Sequence, residues 1–330
     1  MITKRNYLVS FLKRLAQIVP FEFFYPLEKL SLCLFCRRSF PPAAVFVIAL
    51  PRSGSTLTYQ CISNRFFFNY LTNFSHFFFK LFFFSSLISY FLVNTFGKPS
   101  SFRSSNGFVS GLLGQAEGLV FWRYWMNFGL VEQELIDSSV LPNRFNYFLS
   151  VLHALRSFTG TPFLSAYLGH ILCFPLLSEL FPDALFIRLR RSPLLNALSL
   201  YSCLEQSDSN WFSLFPVNCL DYQNHSNHMK AASQLYWLLH KLDAIPSNDN
   251  IFEMQYEKLC ENPELVMSHF KLFCRTRGLN LRDRFSMPSN FSTRTLKDYP
   301  VEDVQSMKYC LRSLVLMHGP VPSLKLLDLA

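Results

Sequence analysis

Residues 43 to 59, Ala-Ala-Val-Phe-Val-Ile-Ala-Leu-Pro-Arg-Ser-Gly-Ser-Thr-Leu-Thr-Tyr, constrain the fold more than any other part of the chain. Val45 to Leu50 is a continuous apolar run with β-branched members, the pattern of a strand buried on both faces. Pro51 ends it, because proline has no N–H to give to a ladder. Arg52, Ser53, Gly54, Ser55 and Thr56 form a turn of small residues, and Leu57 to Ile62 reads as the opening of a helix. A strand that feeds such a turn at a helix N-terminus makes an anion cradle, since unpaired amide N–H groups and the positive end of the helix dipole face the ligand. The hydroxyls of Ser53, Ser55 and Thr56 add donors. Arg52 adds a permanent charge with a fork suited to phosphate or sulfate oxygens. The competing reading is an ordinary strand-turn-helix corner with a capping Ser. A nucleotide triphosphatase loop carries Lys directly after its last Gly; here no Lys follows Gly54, and the cation precedes the turn.

At 330 residues the chain can bury a full core, and 50% hydrophobic against 16% charged residues excludes a disordered chain. The net charge of +9 suits an anionic cofactor, an acidic acceptor or an anionic membrane surface. The basic residues are scattered and no recognition motif appears, so nucleic acid is not expected as a partner. Nine cysteines sit mostly inside apolar segments, as reduced core thiols do. Cys33-Leu-Phe-Cys36 has no second pair with which to hold zinc, and no metal-ligand cluster is found elsewhere. Lys4, Arg5, Lys13 and Arg14 do not form a cleavable signal pattern, which predicts a cytoplasmic protein.

Along the chain, residues 6 to 35 read as one or two amphipathic helices broken near Pro20 and Pro26, an N-terminal helical appendage over 1–42 to a domain over 43–330. Phe66 to Phe96 is Phe-rich: Leu81 to Phe96 carries no charge but is too short to cross a bilayer, which takes about 20 residues. This region predicts a helical insertion, about 66–118, that packs on the core and offers an apolar face for peripheral membrane contact through 66–96 or for a lipid-linked acceptor. The Gly/Ser-rich loop Gly97 to Gly118, with Lys98, Arg103 and Asn106, is the expected wall of an acceptor pocket, with Trp122, Tyr124 and Trp125 available to stack on sugars or to fill core. Helices are expected over Arg144 to Ser157, Gly169 to Leu180, Leu194 to Glu205, Lys230 to Leu242, Glu264 to Arg277 and Val301 to His318. Strands are expected over Thr161 to Tyr167, Ala184 to Arg190 and Ile251 to Tyr256. That rhythm predicts an α/β fold with a parallel sheet, whose ligands gather at the carboxyl ends of the strands.

The second informative stretch is Arg190-Arg191-Ser-Pro-Leu-Leu-Asn-Ala-Leu-Ser199, in which Arg191 leaves a strand and Ser199 follows two helical turns later. A bend at Ser192-Pro193 can aim guanidinium and hydroxyl at one small anion. Pro-Arg-Ser-Gly-Ser-Thr, followed by F-P-x-A-x-F-I-x-x-x-R-x-P-x-x-x-A-x-S, resembles the sulfotransferases that use 3′-phosphoadenylyl sulfate. Tyr256-Glu-Lys-Leu-Cys-Glu-Asn-Pro263, with a helix ending at Gly278, resembles that family's Y-x-x-L-x-x-x-P segment. The resemblance spans roughly residues 43 to 330 and implies a P-loop-like three-layer sandwich around a central parallel sheet. It also implies transfer of a sulfuryl group to a hydroxyl or amine. By position, Arg52, Ser53, Gly54, Ser55 and Thr56 would hold the 5′-phosphosulfate, with Arg52 near the bridging oxygen, and Arg191 and Ser199 the 3′-phosphate. Ser192 stands where family members often carry Asp, and Arg294 and Lys297 fall where the family folds a loop over the cofactor.

Sulfuryl transfer resembles phosphoryl transfer, so such a protein mainly positions groups and neutralises charge on the leaving phosphate, without a metal. A base must take the acceptor proton. Glu117 is the first candidate, His170 the second and His153 the third, each with a plain structural alternative. The expected acceptor is a carbohydrate or lipid-linked glycan. A P-loop kinase and a non-catalytic binding protein are the alternatives, and the acceptor and oligomeric state stay open.

Overall fold

The computed structural model describes residues 21–35, 43–104, 107–126 and 144–325. Five parallel strands form its centre: β1 (Ala44–Ile48), β2 (Asn69–Tyr70), β3 (Phe163–Ser165), β4 (Leu185–Arg190) and β5 (Ile251–Gln255), in the order β2-β3-β1-β4-β5. Helices lie on both sides of this sheet, as parallel strands require for their crossovers. β1 is central because every one of its side chains is apolar and buried; it pairs Val45 with Leu164 of β3 and with Leu185 of β4. The chain builds β2 and β3 on one side of β1, then β4 and β5 on the other. The switch opens a crevice beyond the carboxyl end of β1, where ligands gather in such sheets.

The helices are α1 (Phe21–Phe35), α2 (Ser55–Arg65), α3 (Asn73–Phe77), α4 (Phe82–Phe96), α5 (Leu119–Met126) and α6 (Arg144–Thr159), then α7 (Phe174–Leu180), α8 (Pro193–Leu204), α9 (Asn227–Ala244), α10 (Tyr256–Glu261), α11 (Pro263–Thr276) and α12 (Val301–His318). α12 has the bounds expected of it, and α11 ends just before Gly278, whose φ of 76° suits a residue without Cβ.

Two expectations need correction, and an open alternative is settled. First, α1 runs through Pro26 instead of breaking there. Tertiary contacts hold it: Leu32 is buried, and buried Glu28 accepts hydrogen bonds from the Phe84 N–H and from Tyr147 Oη. Residues 6–20 and Cys36 lie outside the described residues. Second, Phe66 to Phe96 is not wholly helical. Asn69 and Tyr70 add the edge strand β2, fixed by Asn69 Nδ2 donating to Thr159 Oγ1 and Thr161 Oγ1 at 2.8 Å each. Third, Trp122 and Trp125 are fully buried. They pack with Phe82, Phe121 and Phe148, so of the two roles open to them the structure takes core and not sugar stacking. No described helix is long and apolar enough to cross a membrane.

Candidate active site

Backbone strain marks the loop after β1. Arg52 has φ of 64°, a left-handed conformation rare for a residue with a Cβ, and Gly54 has φ of 99°. Three side chains hold the loop's carbonyls and so fix this shape. Ser53 Oγ donates to the Leu50 carbonyl at 2.7 Å, Asn196 Nδ2 to the Pro51 carbonyl at 2.8 Å, and Arg191 Nη1 to the Arg52 carbonyl at 2.5 Å. Arg191 directly follows β4 and Asn196 lies in the first turn of α8, so the neighbouring strand and its helix shape the loop.

No side chain caps α2, whose cap residue is Gly54. The first-turn amides of Ser55, Thr56 and Leu57 therefore stay available to an anion, at the positive end of the helix dipole. Gly54 meets a second requirement: a Cβ there would stand 2.2 Å from Cδ2 of Tyr256. The Tyr256 ring covers the loop, and the Arg191 guanidinium lies over it with Cζ 4.9 Å from the centroid.

Arg52, Arg191 and Ser199 converge. Arg52 Nε donates to Ser199 Oγ at 3.2 Å, and Arg52 Cζ stands 5.6 Å from the centroid of Phe212. Arg52 thus meets Ser199 through its side chain and Arg191 through its backbone carbonyl, and both arginines line one cavity, with no carboxylate salt-bridged to either among the described residues. The Arg191 Nε–H is buried and lacks an acceptor. A buried orphan donor on a cation is costly without a partner, so the residues present fit an oxyanion.

A cavity of about 230 Å³ opens here; Arg52, Gly54, Ser55, Thr56, Arg191 and Glu117 are in its wall. Arg191 also lines a second cavity of about 620 Å³, with Ser192, Pro193, Gln255 and Glu257. Ser53 is buried beneath the loop with its hydroxyl spent on Leu50. Its expected contact with a ligand would have to come through its backbone.

Of the three proton-acceptor candidates, the structure brings only Glu117 to the cavity. Burial raises its carboxyl from an ordinary value of 4.5 to about 7. It thus titrates near neutrality, where a general base works best. His170 is fully buried, with its ring edge-on to Phe46, Trp122 and Tyr167, and burial lowers it to about 3. It is a neutral core residue that never reaches the cavity. His153 is on α6, packed among α1, α4 and α5, and also lines no part of the cavity. Arg294 and Lys297 are exposed on the loop before α12; Arg294 Cζ lies 5.8 Å from the Tyr299 ring.

Sequence reasoning missed Leu168, Phe212 and Ser213 in the cavity wall. They come from connections without periodicity, and only the fold brings them to β1. Tyr256 was visible as part of a motif, but its place over Gly54 was not.

Residues 134–276 match the model of a sulfotransferase family, a span that contains Arg191 and Ser199. No curated protein matches the chain. Among solved structures, the crystal structure of sulfotransferase STF9 from Mycobacterium avium is similar at 14% sequence identity with a TM-score of 0.47, covering 90% of this chain and 72% of that one.

Proposed function

From the sulfotransferase family matched over residues 134–276, we propose that this chain transfers a sulfuryl group from 3′-phosphoadenylyl sulfate to a hydroxyl or amine of a carbohydrate or glycolipid. One observation carries this reading: two guanidiniums, uncapped amides and a carboxyl that titrates near neutrality share one cavity. The donor, when bound, supplies an activated sulfuryl group on a good leaving phosphate.

The chain's own residues do the rest. The α2 amides and Arg52 would hold the phosphosulfate and take up charge that builds on the bridging oxygen. Arg191, with its orphan Nε–H, and Ser199 would hold the 3′-phosphate, and the cavity beyond Arg191 leaves room for the nucleoside. Glu117 would take the acceptor proton as the new O–S or N–S bond forms. Thr56 Oγ1 and Glu117 Oε1 each lie 3.6 Å from where a Cβ on Gly107 would stand, so this glycine leaves the space between them open. Phe108 and Leu112, on the same loop, are exposed and offer an apolar rim to a lipid-linked acceptor or a membrane surface. Eight described cysteines are free thiols, which favours a reducing, cytoplasmic setting.

Calorimetric titration with adenosine 3′,5′-bisphosphate tests this, beside Arg191→Ala and with ATP as control. Binding that Arg191→Ala weakens by about 2–4 kcal/mol is expected for loss of one partner of a charge-assisted contact. No binding, or equal preference for ATP, would overturn the proposal.

A further inference from the structure

The Gly97–Gly118 loop has two working sides. Ser104, Gly107 and Glu117 line the catalytic cavity, while Lys98, Ser100, Ser110 and Gln115 line another cavity of about 210 Å³. This third cavity lies between the end of α2, the end of α4 and Arg284. Among the described residues its wall holds two cations, Lys98 and Arg284, and no carboxylate.

Arg284 is half-buried and held by two backbone carbonyls and by a side-chain hydrogen bond to Tyr70, which lines the same cavity. Nη2 donates to the Val93 carbonyl at 2.5 Å and Nη1 to the Ser63 carbonyl at 3.4 Å. Phe285 and Phe67 flank it, with centroids 4.6 and 5.7 Å from Cζ. Gly97 makes this approach feasible, since a Cβ there would stand 2.7 Å from Arg284 Nη2. The neighbouring carboxylate, Asp283, is taken by Arg65 at 3.2 Å and Lys271 at 2.8 Å. Among the described residues, Arg284 forms no salt bridge, and Lys98 at the exposed rim has neither a hydrogen bond nor an ion pair. A half-buried cation without a counter-ion, with a second cation and hydroxyl donors in the same small cavity, is a place for an oxyanion.

We propose that this cavity binds a carboxylate, sulfate or phosphate group of the acceptor, so that the enzyme selects acidic acceptors by a group distant from the one it modifies. The inference rests on the sulfotransferase reading for the word acceptor, but oxyanion binding is tested separately.

Protein saturated with adenosine 3′,5′-bisphosphate, which fills the first anion site, is titrated with glucuronate and followed by saturation-transfer NMR, with glucose as neutral control. Expected are glucuronate binding that inorganic sulfate displaces, no glucose binding, and at least a tenfold loss of affinity in Lys98→Glu with bisphosphate affinity unchanged. Arg284→Ala removes backbone ties and can unfold the region, so the surface variant Lys98→Glu carries the test. Binding that Lys98→Glu leaves intact, binding only when bisphosphate is absent, equal binding of glucose, or no binding would each overturn the proposal. If the bisphosphate itself fails to bind, the donor reading falls, and the glucuronate titration is then read on Arg191→Ala protein against Arg191→Ala/Lys98→Glu.

Discussion

Replacing Glu117 by Gln should stabilise the protein at alkaline pH while removing the proposed base. The carboxyl stands at about 7 in the fold and at 4.5 without it. Because the folded value is raised, the folded state binds a proton that the unfolded state has lost between these two pH values. Stability is therefore greatest below pH 4.5 and falls as pH rises through 7. One pKa unit is worth about 1.4 kcal/mol, so the full penalty is about 3 kcal/mol at pH 8 and under about 1 kcal/mol at pH 5. Cavity water screens part of this, which leaves about 2 kcal/mol as the expected pH-dependent gain of Glu117→Gln over the parent. Urea unfolding at pH 5, 6, 7 and 8 reads it directly. The two curves should diverge as pH rises, while the proposed sulfuryl transfer at pH 7.5 drops about 10²–10⁴-fold, the usual yield of a positioned base. Parallel stability curves would mean that Glu117 ionises as an ordinary surface acid, and the argument for it as the base would go with them.

Three further substitutions probe other parts of the account. Gly54→Ala puts a Cβ 2.2 Å from Tyr256 at a φ of 99°, so it should cost at least about 1 kcal/mol in thermal unfolding and weaken bisphosphate binding in the same preparation. Glu28→Ala leaves the Phe84 N–H and Tyr147 Oη without their carboxyl partner and should cost about 1–3 kcal/mol in urea unfolding at pH 6, with the bisphosphate Kd unchanged. His170→Phe keeps an aromatic ring in the core and should shift stability by less than about 1.5 kcal/mol; a large loss of turnover with stability intact would return His170 to the mechanism.

The strand, turn and helix at 44–65 were legible because one short segment carries apolar continuity, a proline stop and small residues together; the strain at Arg52 was not. Spacing pointed to Arg191 and Ser199 as a pair, and the structure ties each of them to Arg52, a link that spacing alone does not reveal. β2 was hidden because two residues, Asn69 and Tyr70, show no period, and the phenylalanines around them swamp any alternation. Trp122 and Trp125 could not be assigned to core or pocket from sequence, since an aromatic helix start serves both. Pro26 misled because propensity is a weak prior: contacts made by Glu28 and Leu32 outweigh the loss of one backbone bond.

Glu28 also ties distant parts of the chain into one unit. Its carboxylate supplies the acceptor for the first turn of α4, a helix start that no nearby side chain caps, and meets Tyr147 at the beginning of α6. The first turn of α4 cannot keep its amide protected once α1 detaches. In hydrogen exchange, Leu32 in α1 and Phe84 in α4 should therefore open together, with one rate and one denaturant dependence. A chain shortened to begin at residue 43 would retain the anion loop in sequence. It would still lack the acceptor that finishes its phenylalanine-rich helix, and would expose the aromatic layer beneath it to aggregation.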